Sequence, residues 1–192
     1  MSGGVIVGAD KLARCPWAGS APEYIEYHDK EWGRPLKGDD ALFERVCLEA
    51  FQSGLSWLTI LRKRPAFRSA FAGFAIAEVA EFGEKDVERL LADPGIVRNR
   101  AKILASIGNA RAAAALSGGL SDLIWSYAPD PDTAAAPGAD EQIPAVTDAS
   151  TALAKALKRA GFSFVGPTTC YALMQACGLV NDHLADCHAR AR

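Results

Sequence analysis

Apolar residues in this chain recur at intervals of three and four far more often than they alternate, a pattern that predicts helices. Leu42, Phe43, Val46, Cys47, Ala50 and Phe51 fill one half of a helix that Asp39 or Asp40 can cap and Gly54 can end. Ser56 can open a second helix carrying Trp57, Ile60 and Leu61, expected to stop or kink at Pro65. A third helical region spans roughly Ile76 to Leu91, with a break at Gly83. Asp93-Pro94-Gly95 reads as a turn, Asn99 to Leu116 as an alanine-rich helix, and Leu120 to Tyr127 as a short one. Four prolines between Ala128 and Pro144 make that stretch a surface loop. Thr147 or Ser150 then caps a helix to Ala160, and Gly161 suits its end. Gly166-Pro167 opens a last helix through Met174 and Ala176, closed by Gly178. Strand signals are sparse and no repeat is evident. The expected fold is all-α: a flexible extension over residues 1–13, then a single helical domain over residues 14–192.

A chain of 192 residues can bury one good core but is too short for two ordinary domains. With 49% hydrophobic and 23% charged residues, it has the composition of a soluble globular protein. No stretch approaches the roughly 20 apolar residues that span a bilayer, so no membrane association is expected. The first residues lack the charged start and apolar core of an export signal. Five cysteines without such a signal favour a reducing, cytoplasmic compartment, with thiols or metal ligands in place of disulfides. The net charge of −2 argues against a surface that grips nucleic acid all over, while leaving room for a local basic face.

Three constellations carry chemistry. The first is the turn Gly161-Phe162-Ser163-Phe164-Val165-Gly166-Pro167 between two helices. Pro167 sits at a first helical position, and the amides of a helix N-terminus favour an anion such as phosphate. An ordinary helix–turn–helix connection has the same spacing. The second is Cys15 and His28, thirteen apart, with His183 and Cys187, four apart. Two Cys and two His complete a tetrahedral zinc set, which leaves no open position and is therefore structural. The alternative is an incidental thiol and polar histidines, with His188 as a rival ligand. Cys47, Cys170 and Cys177 sit in apolar runs and read as core thiols.

The third constellation is aromatic. Trp17, Tyr24, Tyr27 and Trp32 fall in a short irregular segment, and Trp57 follows. Such residues either cover a core or line a pocket for a flat ligand. Glu49 lies about 20° around its helix from Leu42, at the edge of the apolar arc. Its carboxylate either reaches water or stays buried with a partner. Beside aromatic faces, a buried acid suits a flat cation.

The runs Arg14-Cys15-Pro16-Trp17, Tyr24 to Gly33, Cys47 to Trp57, Asp93 to Lys102, Gly108 to Arg111 and Gly161 to His183 closely resemble the DNA-3-methyladenine glycosylase I family. The likeness runs from about Arg14 to Cys187. It implies a helix-hairpin-helix glycosylase fold with a structural Zn2+ on Cys15, His28, His183 and Cys187, joining the two ends of the chain. It implies that Tyr27 and Trp57 stack on a flipped base, that Glu49 hydrogen-bonds its edge, and that Trp17, Tyr24 and Trp32 line the same pocket. Gly54-Leu55 matches a loop that wedges into the duplex. Phe164 replaces the first glycine of the commoner hairpin pattern.

The activity so implied is hydrolysis of the N-glycosidic bond of 3-methyladenine in alkylated double-stranded DNA, by a monomer. Amides from Phe164, Val165, Gly166, Thr168 and Thr169 would hold phosphates, with Arg98, Arg100 and Lys102 as added contacts or plain solvated charges. Thr168 stands where strand-cutting relatives carry a lysine, so no lyase step is expected. Asp182 is a candidate for activating the attacking water. The rival reading is a non-catalytic, zinc-stapled DNA-binding module.

Overall fold

Helix α2 (Asp39–Gln52) is buried on every side from Leu42 to Phe51, and the other elements pack around it. The computed structural model describes residues 4–130 and 136–190; residues 1–3 of the extension, 131–135 of the proline-rich loop and 191–192 lie outside the described residues. Around α2 stand α1 (Pro22–Lys30), α3 (Trp57–Ala70), α4 (Ile76–Ala80), α5 (Glu84–Ala92), α6 (Arg100–Ala114), α7 (Gly119–Trp125), α8 (Asp148–Arg159) and α9 (Pro167–Ala176). The chain is mostly helical, as its periodicity predicts.

The expected caps on α2 do not form: Gly38 holds the N-cap position, and the Asp39 and Asp40 carboxylates instead accept from the amides of Ser121 and Ile76, tying α2 to α7 and α4. Other start signals do act. Ser56, Asn99 and Thr147 accept hydrogen bonds from the amides of Thr59, Lys102 and Ser150, capping α3, α6 and α8. Gly178 follows α9 with φ 71°, and a Cβ there would lie 2.4 Å from the Arg34 carbonyl carbon. Only glycine fits, because the segment after α1 crosses the end of α9 at this point.

Three further features depart from the pattern. Helix α3 runs through Pro65 and does not stop there. Interior proline costs about 3 kcal/mol; burying Ile60, Leu61 and Phe67, at roughly 1.5–3 kcal/mol each, outweighs it. Tyr24 and Tyr27 lie on a regular helix, α1, where the sequence showed little period. Finally, Ile6–Val7 pairs antiparallel with Ala13–Arg14, Ile6 opposite Arg14. Asp10 and Asp29 both hold the Arg14 guanidinium and so pin this ribbon to α1.

Two apolar clusters result. The larger contains the stacked Phe67, Phe71 and Phe74, with Phe51 tilted against Phe67, together with the inner faces of α2, α6, α8 and α9. The smaller joins Cys15, Tyr27, Trp32, Leu61 and Ala176 to Leu184 and Cys187, where the early and late parts of the chain meet. Among the described residues no helix is long and apolar enough to cross a membrane.

Candidate active site

A cavity of about 620 Å³ opens at the edge of the smaller cluster. Trp17, Tyr24, Tyr27, Trp32 and Trp57, together with Glu49, all line it. The aromatics therefore form a pocket wall as well as covering a core. Tyr27 and Trp57 stand 5.5 Å apart between centroids, tilted by 53°; Trp17 meets Tyr24 and Trp32 edge-on at 5.7 and 5.1 Å. The Tyr24 hydroxyl accepts from the Leu58 amide at 2.9 Å and so fixes the start of α3 against α1.

Glu49 is 5% exposed. Its carboxyl is pushed up to about 8 by burial, against a smaller opposing pull from Arg45. Among the described residues it makes no side-chain hydrogen bond or ion pair. Two further polar atoms of the wall, Trp57 Nε1 and Asp140 Oδ1, are buried without a hydrogen-bond partner. Asp140, Ile143 and Gln175 belong to the lining but carried no sequence signal for it. The first two come from the proline-rich loop, which composition alone marks only as surface.

Beside the pocket, Gly54 and Leu55 form the exposed turn between α2 and α3, Leu55 being 41% exposed. Lys102, expected near phosphate, instead points inward. Its Nζ donates to the carbonyls of Phe51 at 2.9 Å and Ser53 at 2.6 Å, closing the C-terminus of α2. Those orphaned carbonyls draw the ammonium from the surface. Arg100 pairs with Glu84 at 2.7 Å, while Arg98 is exposed.

The turn between α8 and α9 is tied down by Asn109 of α6. Asn109 accepts from the Ser163 amide at 2.7 Å and donates to the Ser163 carbonyl at 3.1 Å. Next to it Phe164 takes φ 58° without being glycine, a cost of about 1–2 kcal/mol. The side chains of Phe164 and Thr168 are exposed, Thr169 and Gly166 half-buried, and Val165 is buried in the core. Asp182 does not face the aromatic pocket. It lines a separate cavity and accepts from the Tyr171 hydroxyl at 2.6 Å and from Gln175 at 2.9 Å.

Behind Trp32 lies a second buried polar group. One ligand atom each from Cys15, His28, His183 and Cys187 falls within 4.8 Å of all the others. Cys187 Sγ is 3.3 Å from His28 Nε2 and 3.6 Å from His183 Nδ1, and Cys15 Sγ is 3.9 Å from His183 Nδ1. Ligands of a tetrahedral zinc with bonds of about 2.0–2.3 Å stand roughly 3.6 Å apart. The outer nitrogens are engaged too: His28 Nδ1 with Asp29 at 2.8 Å and His183 Nε2 with the Trp32 carbonyl at 3.1 Å. That leaves the inward nitrogens as acceptors, the tautomers a metal requires. The Cys187 thiol is drawn far down by hydrogen bonds from Cys15, then His183 and His28. Gly33 lets the chain pass; a Cβ there would lie 2.9 Å from His183 Nε2. His188 turns away to Asp29 at 2.9 Å. His183 and Cys187 sit in consecutive turns and not on a helix. The donor set, its spacing and its tautomers fit zinc.

Residues 17–191 match the family model described as methyladenine glycosylase. The chain is 48% identical over 179 residues to DNA-3-methyladenine glycosylase 1 of Escherichia coli strain K12, covering 92% of this chain and 96% of that protein. Among solved structures it is similar to 3-methyladenine DNA glycosylase I from Staphylococcus aureus, with TM-score 0.87, 37% identity and coverage of 93% and 97%. It is also similar to a variant of 3-methyladenine DNA glycosylase I in complex with 3-methyladenine, with TM-score 0.88, 35% identity and coverage of 93% and 98%. A likeness that takes in the pocket residues together with His28, His183 and Cys187, at this identity, leaves one assignment: the chain belongs to the methyladenine glycosylase family.

Proposed function

We propose that this protein removes 3-methyladenine from alkylated double-stranded DNA by hydrolysing its N-glycosidic bond, leaving an abasic site and making no strand cut. The observation that carries this reading is Glu49: a buried, unpartnered carboxyl in a cavity walled by five aromatics. A binding module needs no such group. Methylation at N3 makes adenine a flat cation, and its affinity for electron-rich rings and for an anion exceeds that of neutral adenine. The charge also weakens the bond to the sugar, so the enzyme's task is to expose and select the base more than to force the chemistry.

In this reading the base leaves the stack at a cost of a few kcal/mol, least for a damaged base. Leu55, raised on Gly54, fills the gap. Amides and hydroxyls from Phe164, Val165, Gly166, Thr168 and Thr169 hold phosphates at the start of α9. Tyr27 and Trp57 stack on the base, Trp17, Tyr24 and Trp32 close the walls, and Glu49 accepts from its edge. The C1′–N9 bond then breaks with its electron pair going to the base, which becomes neutral. A water oxygen bonds to C1′ and releases a proton. Cys15, His28, His183 and Cys187 would hold a zinc ion, which supplies no reacting group and ties the first aromatic segment to the end of the chain. Thr168 in place of a lysine supports the absence of a lyase step. A reducing, cytoplasmic setting fits five buried cysteines with no disulfide among them, and we take the enzyme to act as a monomer.

The test is release of free base from methylated DNA by wild type and Glu49→Gln. Loss of at least about 100-fold is expected, the usual reach of one well-placed polar group in a dry site. Release at the wild-type rate by that variant would remove the acid from the mechanism and the proposal with it.

A further inference from the structure

Arg45 stands one turn before Glu49 on α2 and is 6% exposed. Its Nη2 donates to Glu31 just beyond α1. That carboxylate is already held by Arg64 of α3, through two hydrogen bonds of 2.7 Å. The Arg45 guanidinium carbon lies 5.5 Å from the centre of the Tyr27 ring, and Nη1 is buried with no hydrogen-bond partner. A guanidinium with an orphaned donor is costly to bury, and an apolar residue would serve packing better. Its situation calls for an electrostatic explanation.

The groups that face Glu49 are few. Its own helix offers Arg45, and α1 offers the phenols of Tyr24 and Tyr27; Glu31, held by Arg64, pairs with Arg45 and lies outside the pocket lining. The Cys177 thiol stands just past α9, and Asp140 comes from the loop before α8. Burial pushes Cys177 up to about 12, so it carries no charge near neutrality. Arg64 is claimed by both oxygens of Glu31. Among the described residues, Arg45 is the cation left over for Glu49.

We propose that Arg45 is a positioning residue, a fixed positive charge beneath Tyr27 that keeps the Glu49 carboxyl available as an anion so that the pocket selects its ligand by charge. This rests on the reading of Glu49 given above. It has a cost, since Arg45 also repels a cationic base. Arg45 therefore helps wherever Glu49 would otherwise be protonated and hinders wherever Glu49 is ionised in any case. The two regimes must cross along the pH axis.

The experiment measures binding of an adenine methylated at both N3 and N9, which keeps its positive charge, by tryptophan fluorescence between about pH 5.5 and 10. Wild-type affinity falls as Glu49 protonates. In Arg45→Met the inflection moves to a proton concentration about tenfold lower. Above it, that variant binds at least as tightly as wild type. Arg45→Lys restores the wild-type inflection. Arg45→Gln, neutral but still a donor, carries the same expectation as Arg45→Met and replaces it should that variant not fold. A purely structural role lowers affinity by one factor at every pH, and parallel curves for wild type and the neutral variants overturn the proposal. Glu49→Gln measured alongside should be weak and flat. Wild-type binding by Glu49→Gln would instead overturn the reading on which this one rests.

Discussion

Two buried polar groups lie on either side of Trp32, and they are built on opposite principles. In the Cys/His cluster nearly every donor and acceptor is matched: both outer imidazole nitrogens are engaged, and the Leu184 amide reaches Cys15 Sγ at 3.5 Å. In the pocket, Trp57 Nε1 and Asp140 Oδ1 are left without partners and Glu49 is pushed up to about 8. The same cost of burying polar atoms governs both. One region resolves it within the protein. The other leaves it unresolved, so that a ligand can resolve it. Saturation suits a part that holds the fold; deficit suits a part that receives a ligand.

The strongest way to break this contrast is at the saturated side. Cys187→Ala should remove a ligand of the zinc proposed here and leave buried imidazoles unsatisfied, at a cost of about 3–5 kcal/mol. In a chain of this size the melting temperature should fall by roughly 10 °C or more, with bound zinc lost by elemental analysis. An unchanged melting temperature and unchanged metal content would remove the distinction.

The deficit side should respond in the reverse sense. Glu49 is raised from 4.5 to about 8 in the folded protein, so the native state holds a proton that the unfolded chain has released. Stability from this group is present below about pH 4.5 and is lost as pH rises towards 8. Glu49→Gln should therefore melt higher than wild type, with a gain that grows over that window to on the order of 2–4 kcal/mol. The same substitution that is expected to slow base release should strengthen the fold. A gain independent of pH would locate the effect elsewhere.

Smaller effects sharpen the picture. Trp57→Ala should weaken binding of free 3-methyladenine by about 1–3 kcal/mol, the usual worth of one stacking face, read by fluorescence from the remaining tryptophans. Lys102→Met should cost about 1 kcal/mol of stability through the lost hydrogen bonds. Because Nζ is spent on the Phe51 and Ser53 carbonyls, the slope of DNA affinity against salt should stay as in wild type. A shallower slope would return this lysine to the phosphate face.

The sequence showed most of this architecture because most of it is local. Caps at Ser56, Asn99 and Thr147 and the period of α2 depend on neighbours within one or two turns. The misses are long-range. Nothing near Pro65 announces that burial of Phe67 will carry α3 through it, and nothing near Lys102 announces carbonyls 49 and 51 residues away. The five aromatics and Glu49 were legible as a group because unusual residue types cluster in early segments. Asp140 and Arg45 were not. One sits in a loop whose composition says only surface, and the other resembles any helix charge until the fold buries it.

The Cys/His cluster joins positions 168 residues apart, Cys15 to His183. During synthesis at about 5–20 residues per second, the first half of the cluster waits on the order of ten seconds for the second. Every pocket aromatic from Trp17 to Trp57 has emerged by then, yet the scaffold that orients them has not. A ribosome stalled before codon 183 would thus release a chain with all its pocket aromatics and without the late segment that closes the smaller cluster around them.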